Sequence, residues 1–112
     1  MLTLLLICLA FLTPEQKGKD VFVRRCSGCH AADIDKEGPR LRGIYGRNSA
    51  SVPGFGYSEA LKKTSIRWDN QSLDRWLTDP EAMVPDTDMA FRLSDTEERR
   101  AVIDYLQTLV NQ

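Results

Sequence analysis

The stretch "CSGCH", Cys26 to His30, holds two of the chain's three cysteines and its only histidine. Two thiols at this spacing with an imidazole beside the second could hold a metal ion, exchange a disulfide, or anchor a porphyrin. A zinc site would want a second cysteine or histidine pair, and beyond this stretch the chain offers only Cys8. A thioredoxin-like exchange motif belongs in a βαβ fold, and the sequence carries no strand pattern. The C-x-x-C-H spacing is a specific signal for covalent haem c. Each thiol adds across a vinyl group of the porphyrin, and the histidine then lies beneath the ring with a nitrogen aimed at iron.

Iron so held has a sixth position to fill. With no second histidine the candidates are Met83, Met89 or no protein ligand, because Met1 falls in an apolar leader. A methionine in an apolar loop can equally be gap-filling core.

The elements that must position these residues read as helices separated by long loops. "TPEQ" has the grammar of a helix start, with Thr13 as N-cap, Pro14 at the first helical position and Gln16 completing a capping box. That helix should run into Arg25 with Gly18, Val21 and Phe22 on one face. From Asp33 to Phe55 breakers recur, in "EGPRLRGIYGR" and "PGFG", and no helical period survives. "YSEALKK" is a short helix capped by Ser58. Asp69 caps another, which carries Leu73, Trp76 and Leu77 and is stopped by Pro80. Residues 80 to 93 read as an extended loop with two prolines. The last helix is capped by Ser94 with Glu97 in return, then shows Val102, Tyr105, Leu106, Leu109 and Val110 at helical spacing. So few helices and such long loops supply too little apolar surface to close alone, and a flat apolar cofactor at the centre would complete the core.

At 112 residues there is room for one domain, and 42% hydrophobic with 28% charged residues is ordinary for a soluble globular chain. Sixteen acids offset fifteen bases, a formal charge of -1, which argues against a nucleic-acid partner. The apolar run "LTLLLICLAFL", residues 2 to 12, has the length of a signal-peptide h-region and is too short to span a bilayer comfortably. Residues 1–12 are therefore expected to be an export-signal remnant or an N-terminal membrane-surface anchor, with residues 13–112 as the domain.

Taken in order, "GKDVFVRRCSGCH", "GPRLRGIYGR", "PGFGYSEALK", "IRW", "DP" and "VPDTDMAF", followed by the final helix, resemble a class I cytochrome c of the small soluble monohaem, bacterial type. The resemblance covers Thr13 to the C-terminus and implies an all-α cytochrome c fold. Its N- and C-terminal helices cross closely, with short helices and long loops wrapped round the haem. Gly18 and Phe22 would meet Val102 and Tyr105 at that crossing.

By the same resemblance Cys26 and Cys29 bind one haem c per chain, and His30 and Met89 are the axial iron ligands, Met89 matching the family's Pro-x-x-x-Met loop. Met83 falls to the core. The Pro39 carbonyl would accept from the free ring nitrogen of His30, and Arg47, Tyr57, Trp68 and Thr87 would serve the propionates; Tyr57 and Trp68 could otherwise be plain core aromatics. Trp76 stands where many members carry a tyrosine whose hydroxyl approaches the methionine sulfur. An indole there is expected to fill the space without reproducing that contact. Leu61 replaces a frequent asparagine, and Asp86 and Asp88 replace a lysine-bearing loop.

The resemblance implies a one-electron carrier and not an enzyme, a monomer in the periplasm or otherwise exported, shuttling between respiratory or photosynthetic complexes through transient contacts with redox partners. Membrane contact is expected only through residues 1–12. The sequence is compatible with two other readings: a haem enzyme or gas sensor with a labile sixth ligand, and a haem subunit tethered in a larger complex.

Overall fold

The computed structural model describes residues 12–111. Residues 1–11, Cys8 among them, lie outside the described residues, and the expectation of a leader or anchor falls there; none of the described helices is long and apolar enough to cross a membrane. The described part is helical, with α1 (Pro14–Val21), α2 (Glu59–Lys62), α3 (Asn70–Thr78), α4 (Pro80–Met83) and α5 (Thr96–Thr108). Asn48 and Arg67 form one isolated antiparallel bridge.

Local chemistry sets most boundaries. At α1 the Gln16 N–H donates to Thr13 Oγ1 (3.2 Å) and the Thr13 N–H to Gln16 Oε1 (2.8 Å), a closed capping box. Ser58 caps α2 through the Leu61 N–H, and Asp69 with Ser72 closes a second box on α3. Three sequence expectations need correction. The first helix ends as α at Val21 and continues as a π turn over Phe22–Cys26, in which the Ser27 N–H reaches the Phe22 carbonyl (3.0 Å). Pro80 does stop α3, yet it also starts α4, because Asp79 accepts from the Ala82 N–H and proline suits a first helical position. The cap of α5 is Asp95, accepting from the Glu98 N–H at 2.9 Å. The Ser94 carbonyl is instead taken by Arg99 Nη1 (3.0 Å), which pulls the serine out of the capping position.

The helices α1 and α5 cross in contact. A Cβ on Gly18 would collide with the Ala101 carbonyl oxygen and lie 2.6 Å from Tyr105 Cβ, so only glycine allows the two backbones this close. Phe22 meets Tyr105 edge to face, ring centres 5.5 Å apart. Val21, Phe22, Val102, Ile103 and Leu106 are buried there. Val110, placed on the apolar face by its spacing, is 43% exposed, because the chain leaves the α geometry at Leu109–Asn111.

Candidate functional site

The π turn is what delivers the "CSGCH" side chains inward. The extra residue per turn carries Cys26 to the helix end, and the His30 N–H returns to the Cys26 carbonyl at 2.9 Å. Cys26, Cys29 and His30 then line one cavity of about 340 Å³, within the range of roughly 300–1,000 Å³ usual for ligand sites. Its other walls are Leu41 and Ile44 from the long loop, Leu61 of α2, Leu73, Trp76 and Leu77 of α3, and Val102 and Leu106 of α5. Thr87, Met89 and Phe91 close it from the loop between α4 and α5.

His30 is set by two neighbours. Its Nδ1 lies 2.9 Å from the Pro39 carbonyl oxygen, so Nδ1 carries the proton and Nε2 presents a lone pair. Burial holds the imidazole below its usual pKa despite the opposing pull of the Pro39 carbonyl, which keeps the ring neutral and fit to ligate. Gly38 lies against that ring, where a Cβ would drive into Cε1 and approach Nδ1 to 2.6 Å.

Neither thiol is activated for exchange. Burial, helped by Cys29, pushes Cys26 up to about 11, and the hydrogen bond from Cys29 Sγ to Glu37 Oε2 (3.4 Å) raises Cys29 as well. A disulfide-exchange cysteine needs the opposite shift. Among the described residues no group of His, Cys, Asp and Glu is arranged to hold a metal ion by itself.

Met89 lines the cavity, whereas Met83 does not and packs against the core. One expectation is overturned here. The Trp76 indole does more than fill space: its Nε1–H donates to Met89 Sδ at 3.1 Å. The indole replaces a hydroxyl as donor because α3 places its ring edge, not its face, against the sulfur.

The expected propionate donors separate into two layers. Tyr57, Trp68 and Thr87 line the cavity. The indole nitrogen of Trp68 and the hydroxyl of Thr87 have no acceptor among the described residues. Tyr57 accepts the Val52 N–H on its oxygen (3.0 Å), which leaves its own proton to donate. Arg47 is not in the wall. Its Nη1 donates to the Ser51 carbonyl (3.0 Å), next to the Val52 that binds Tyr57.

Sequence reasoning passed over Glu37, which receives the Cys29 thiol, and Phe91, which lines the cavity yet is 41% exposed. The signal available was their position, one residue before "GP" and two after Met89. Asp88 also lines the cavity and is exposed; Asp86 is exposed in the same loop.

A mostly apolar cavity with two thiols, a neutral imidazole nitrogen, a thioether and three side-chain donors free to bind anions fits an iron porphyrin with propionates. Comparison with known proteins agrees. The family model described as "Cytochrome c" matches residues 15–110. The cytochrome c of Euglena viridis is 39% identical over 97 residues, covering 84% of this chain and 95% of that protein. The cytochrome c2 iso-2 of Magnetospirillum molischianum is 37% identical, covering 75% of this chain and 90% of its own. Among solved structures, cytochrome cH from Methylobacterium extorquens superposes with a TM-score of 0.78 at 36% identity, covering 82% of this chain and 95% of that one.

Proposed function

The chain belongs to the cytochrome c family, an electron carrier with one covalently bound haem c, and from that premise we propose that Cys26 and Cys29 attach the haem and that His30 and Met89 ligate its iron. The bound haem supplies a one-electron ferric–ferrous couple. The observation that carries the assignment is that the neutral Nε2 of His30 and the sulfur of Met89, 59 positions apart in the chain, line the same cavity as both thiols.

Each protein group has a defined task. Pro39 fixes the tautomer and direction of His30. Met89 contributes a soft sulfur, which favours ferrous iron and raises the potential. Trp68, Thr87 and Tyr57 donate to the propionates, whose burial without donors would be costly. Arg47 acts one layer back by holding the Ser51–Val52 segment that orients Tyr57.

With His30 and Met89 both holding the iron, no position would be left for a substrate, and the protein would act as a carrier rather than an enzyme. Its contacts are small and transient, as redox encounters are. The carboxylates of Glu37 and Asp88 at the cavity, with Asp86 beside them, favour partners with a basic docking face. The apolar run 2–12 supports an exported setting, periplasmic or equivalent, with the protein acting as a monomer between a donor and an acceptor complex.

The test is the optical spectrum of the holoprotein in oxidised, reduced, and reduced plus carbon monoxide forms. A sharp low-spin reduced spectrum, a weak sulfur-to-iron band when oxidised and no response to the gas are expected. A high-spin spectrum that shifts with carbon monoxide would replace the carrier with a gas-binding or enzymatic haem protein.

A further inference from the structure

The loop that carries Met89 is closed in three nested steps. At its base the Leu93 N–H donates to the Leu77 carbonyl (2.7 Å), and next inward Arg92 Nη2 meets Asp79 Oδ2 at 3.3 Å. Innermost, Glu81 Oε1 accepts the Asp86 N–H at 3.0 Å. The two outer ties grip the chain beyond Met89, and only the inner one grips the approach to it. Glu81 is placed for this by α4, which Asp79 caps through the Ala82 N–H (3.2 Å) and which the Val84 N–H closes on the Pro80 carbonyl (2.8 Å).

Asp86 has need of the contact. The Thr87 N–H returns to the Val84 carbonyl (3.2 Å), which makes residues 84–87 a β-turn with Pro85 second and Asp86 third. Asp86 takes φ +68°, the left-handed value that a type II turn demands at its third position and that glycine adopts without steric cost. An aspartate there carries that cost, and the turn's own hydrogen bond leaves the Asp86 N–H unpaired. Charge does not draw Glu81 to the spot, because Asp79, Asp86 and Asp88 share the segment with Arg92 as its only base. The amide is what holds the carboxylate, and the carboxylate is what holds the turn.

We propose that Glu81 is a positioning residue for the sixth iron ligand: by fixing Asp86 in its left-handed conformation it holds the turn that aims Thr87 and Met89 into the cavity, and so sets how often the loop opens to an outside ligand. The inference rests on Met89 being the axial ligand. A methionine has three rotatable bonds and keeps no direction by itself, so the backbone just before it must supply one. With the inner tie gone, the approach to Met89 swings on the outer ties alone.

The apparent affinity of an outside ligand is its intrinsic affinity scaled by the open fraction, so imidazole added to the oxidised holoprotein reads the opening equilibrium. The test titrates the full-chain parent, Glu81→Ala and Glu81→Gln with imidazole and follows loss of the sulfur-to-iron band. Glu81 is exposed, so both variants should fold. One hydrogen bond shifts an equilibrium by roughly two- to tenfold, and Glu81→Ala is expected to bind imidazole more tightly by that factor. Glu81→Gln loses the charge but keeps an acceptor at the same reach, and should lie closer to the parent than to Glu81→Ala. Parent affinity in Glu81→Ala would overturn the inference. So would a glutamine variant that tracks the alanine one, because charge and not the hydrogen bond would then be responsible.

Met89→Ala separates the two layers of the argument. Should it keep the band, the ligand assignment itself falls; should it lose the band while Glu81→Ala leaves imidazole binding unchanged, only the present inference falls. A second readout needs no added ligand: the Asp86 amide should exchange with deuterated solvent roughly two- to tenfold faster in Glu81→Ala than in the parent. Equal exchange in the two would also overturn the proposal.

Discussion

Arg99 Nε lies 2.8 Å from Asp74 Oδ1, and the rest of the guanidinium is spent on the chain that follows Met89. Nη1 donates to the carbonyls of Leu93 (2.9 Å) and Ser94 (3.0 Å), and Nη2 to Thr96 Oγ1 (3.3 Å). Leu93 is also held from its other side, through its N–H on the Leu77 carbonyl (2.7 Å). One buried arginine thus ties α5, α3 and the end of the Met89 loop together. The helix that carries Trp76 and the loop that carries Met89 share this anchor.

Removing the anchor should cost stability and loosen the loop at once. Asp74 is half exposed and would be rehydrated in Arg99→Ala, so the loss falls on the two carbonyls and the packing, about 2–4 kcal/mol in all. Arg99→Lys should recover only part, because one ammonium cannot serve acceptors on both α3 and the loop. Urea titration of the holoproteins checks the order. A lysine variant as stable as the parent would mean that charge alone, not the fork of donors, holds the loop.

Gly18→Ala sets two effects against each other. Alanine in a helix interior gains about 1 kcal/mol over glycine. Against that, its Cβ would strike the Ala101 carbonyl and sit 2.6 Å from Tyr105 Cβ, and backbone oxygen of a packed helix cannot move aside. Overpacking of this kind costs about 1–3 kcal/mol and displaces α1 from α5. The melting temperature of the holoprotein should therefore fall; a rise would show that the crossing is slack.

Much of this was legible because it is local. Caps at Thr13, Ser58 and Asp69 follow from side chains reaching two or three residues along the chain, and the cysteine spacing carries its chemistry in five letters. The misplaced cap of α5 shows the limit. Ser94 with Glu97 and Asp95 with Glu98 obey the same spacing rule, and the choice is made by Arg99 taking the Ser94 carbonyl. The Trp76–Met89 bond was missed for a similar reason, since it joins an element to a loop whose path no periodicity describes. A clue was present, because a buried indole among leucines needs an acceptor and Met89 is the nearest soft one.

Gly38→Ala should be felt at the iron rather than in the loop. The added Cβ has nowhere to go but into the His30 ring, so the imidazole must turn and give up its 2.9 Å bond to Pro39. A ligand held at the wrong angle with its tautomer unfixed binds iron less well, and loss of such an outer contact typically weakens metal binding by about 10–100-fold. The expected result is a partly high-spin oxidised spectrum with haem still attached through both cysteines. A wholly low-spin spectrum would show that the proline contact does not orient the histidine.

Preventing haem attachment should cost the protein its fold. The cavity of about 340 Å³ is lined by core residues of α1's π turn, α2, α3 and α5, so the elements meet across the haem as much as across one another. Without the haem those apolar side chains lose their packing partner and meet water, a loss to set against the about 5–15 kcal/mol that separates most folded domains from unfolded chains. Cys26→Ser combined with Cys29→Ser removes both thiols without adding bulk. That double variant should show little helix by far-ultraviolet circular dichroism and no cooperative thermal transition. Free haem added to it should restore part of the helix, since His30, Met89 and the donors of Trp68, Thr87 and Tyr57 remain in place. A stable, cooperatively melting protein without haem would mean that the helix crossing at Gly18 and the Arg99 anchor suffice, and that the haem is cargo rather than core.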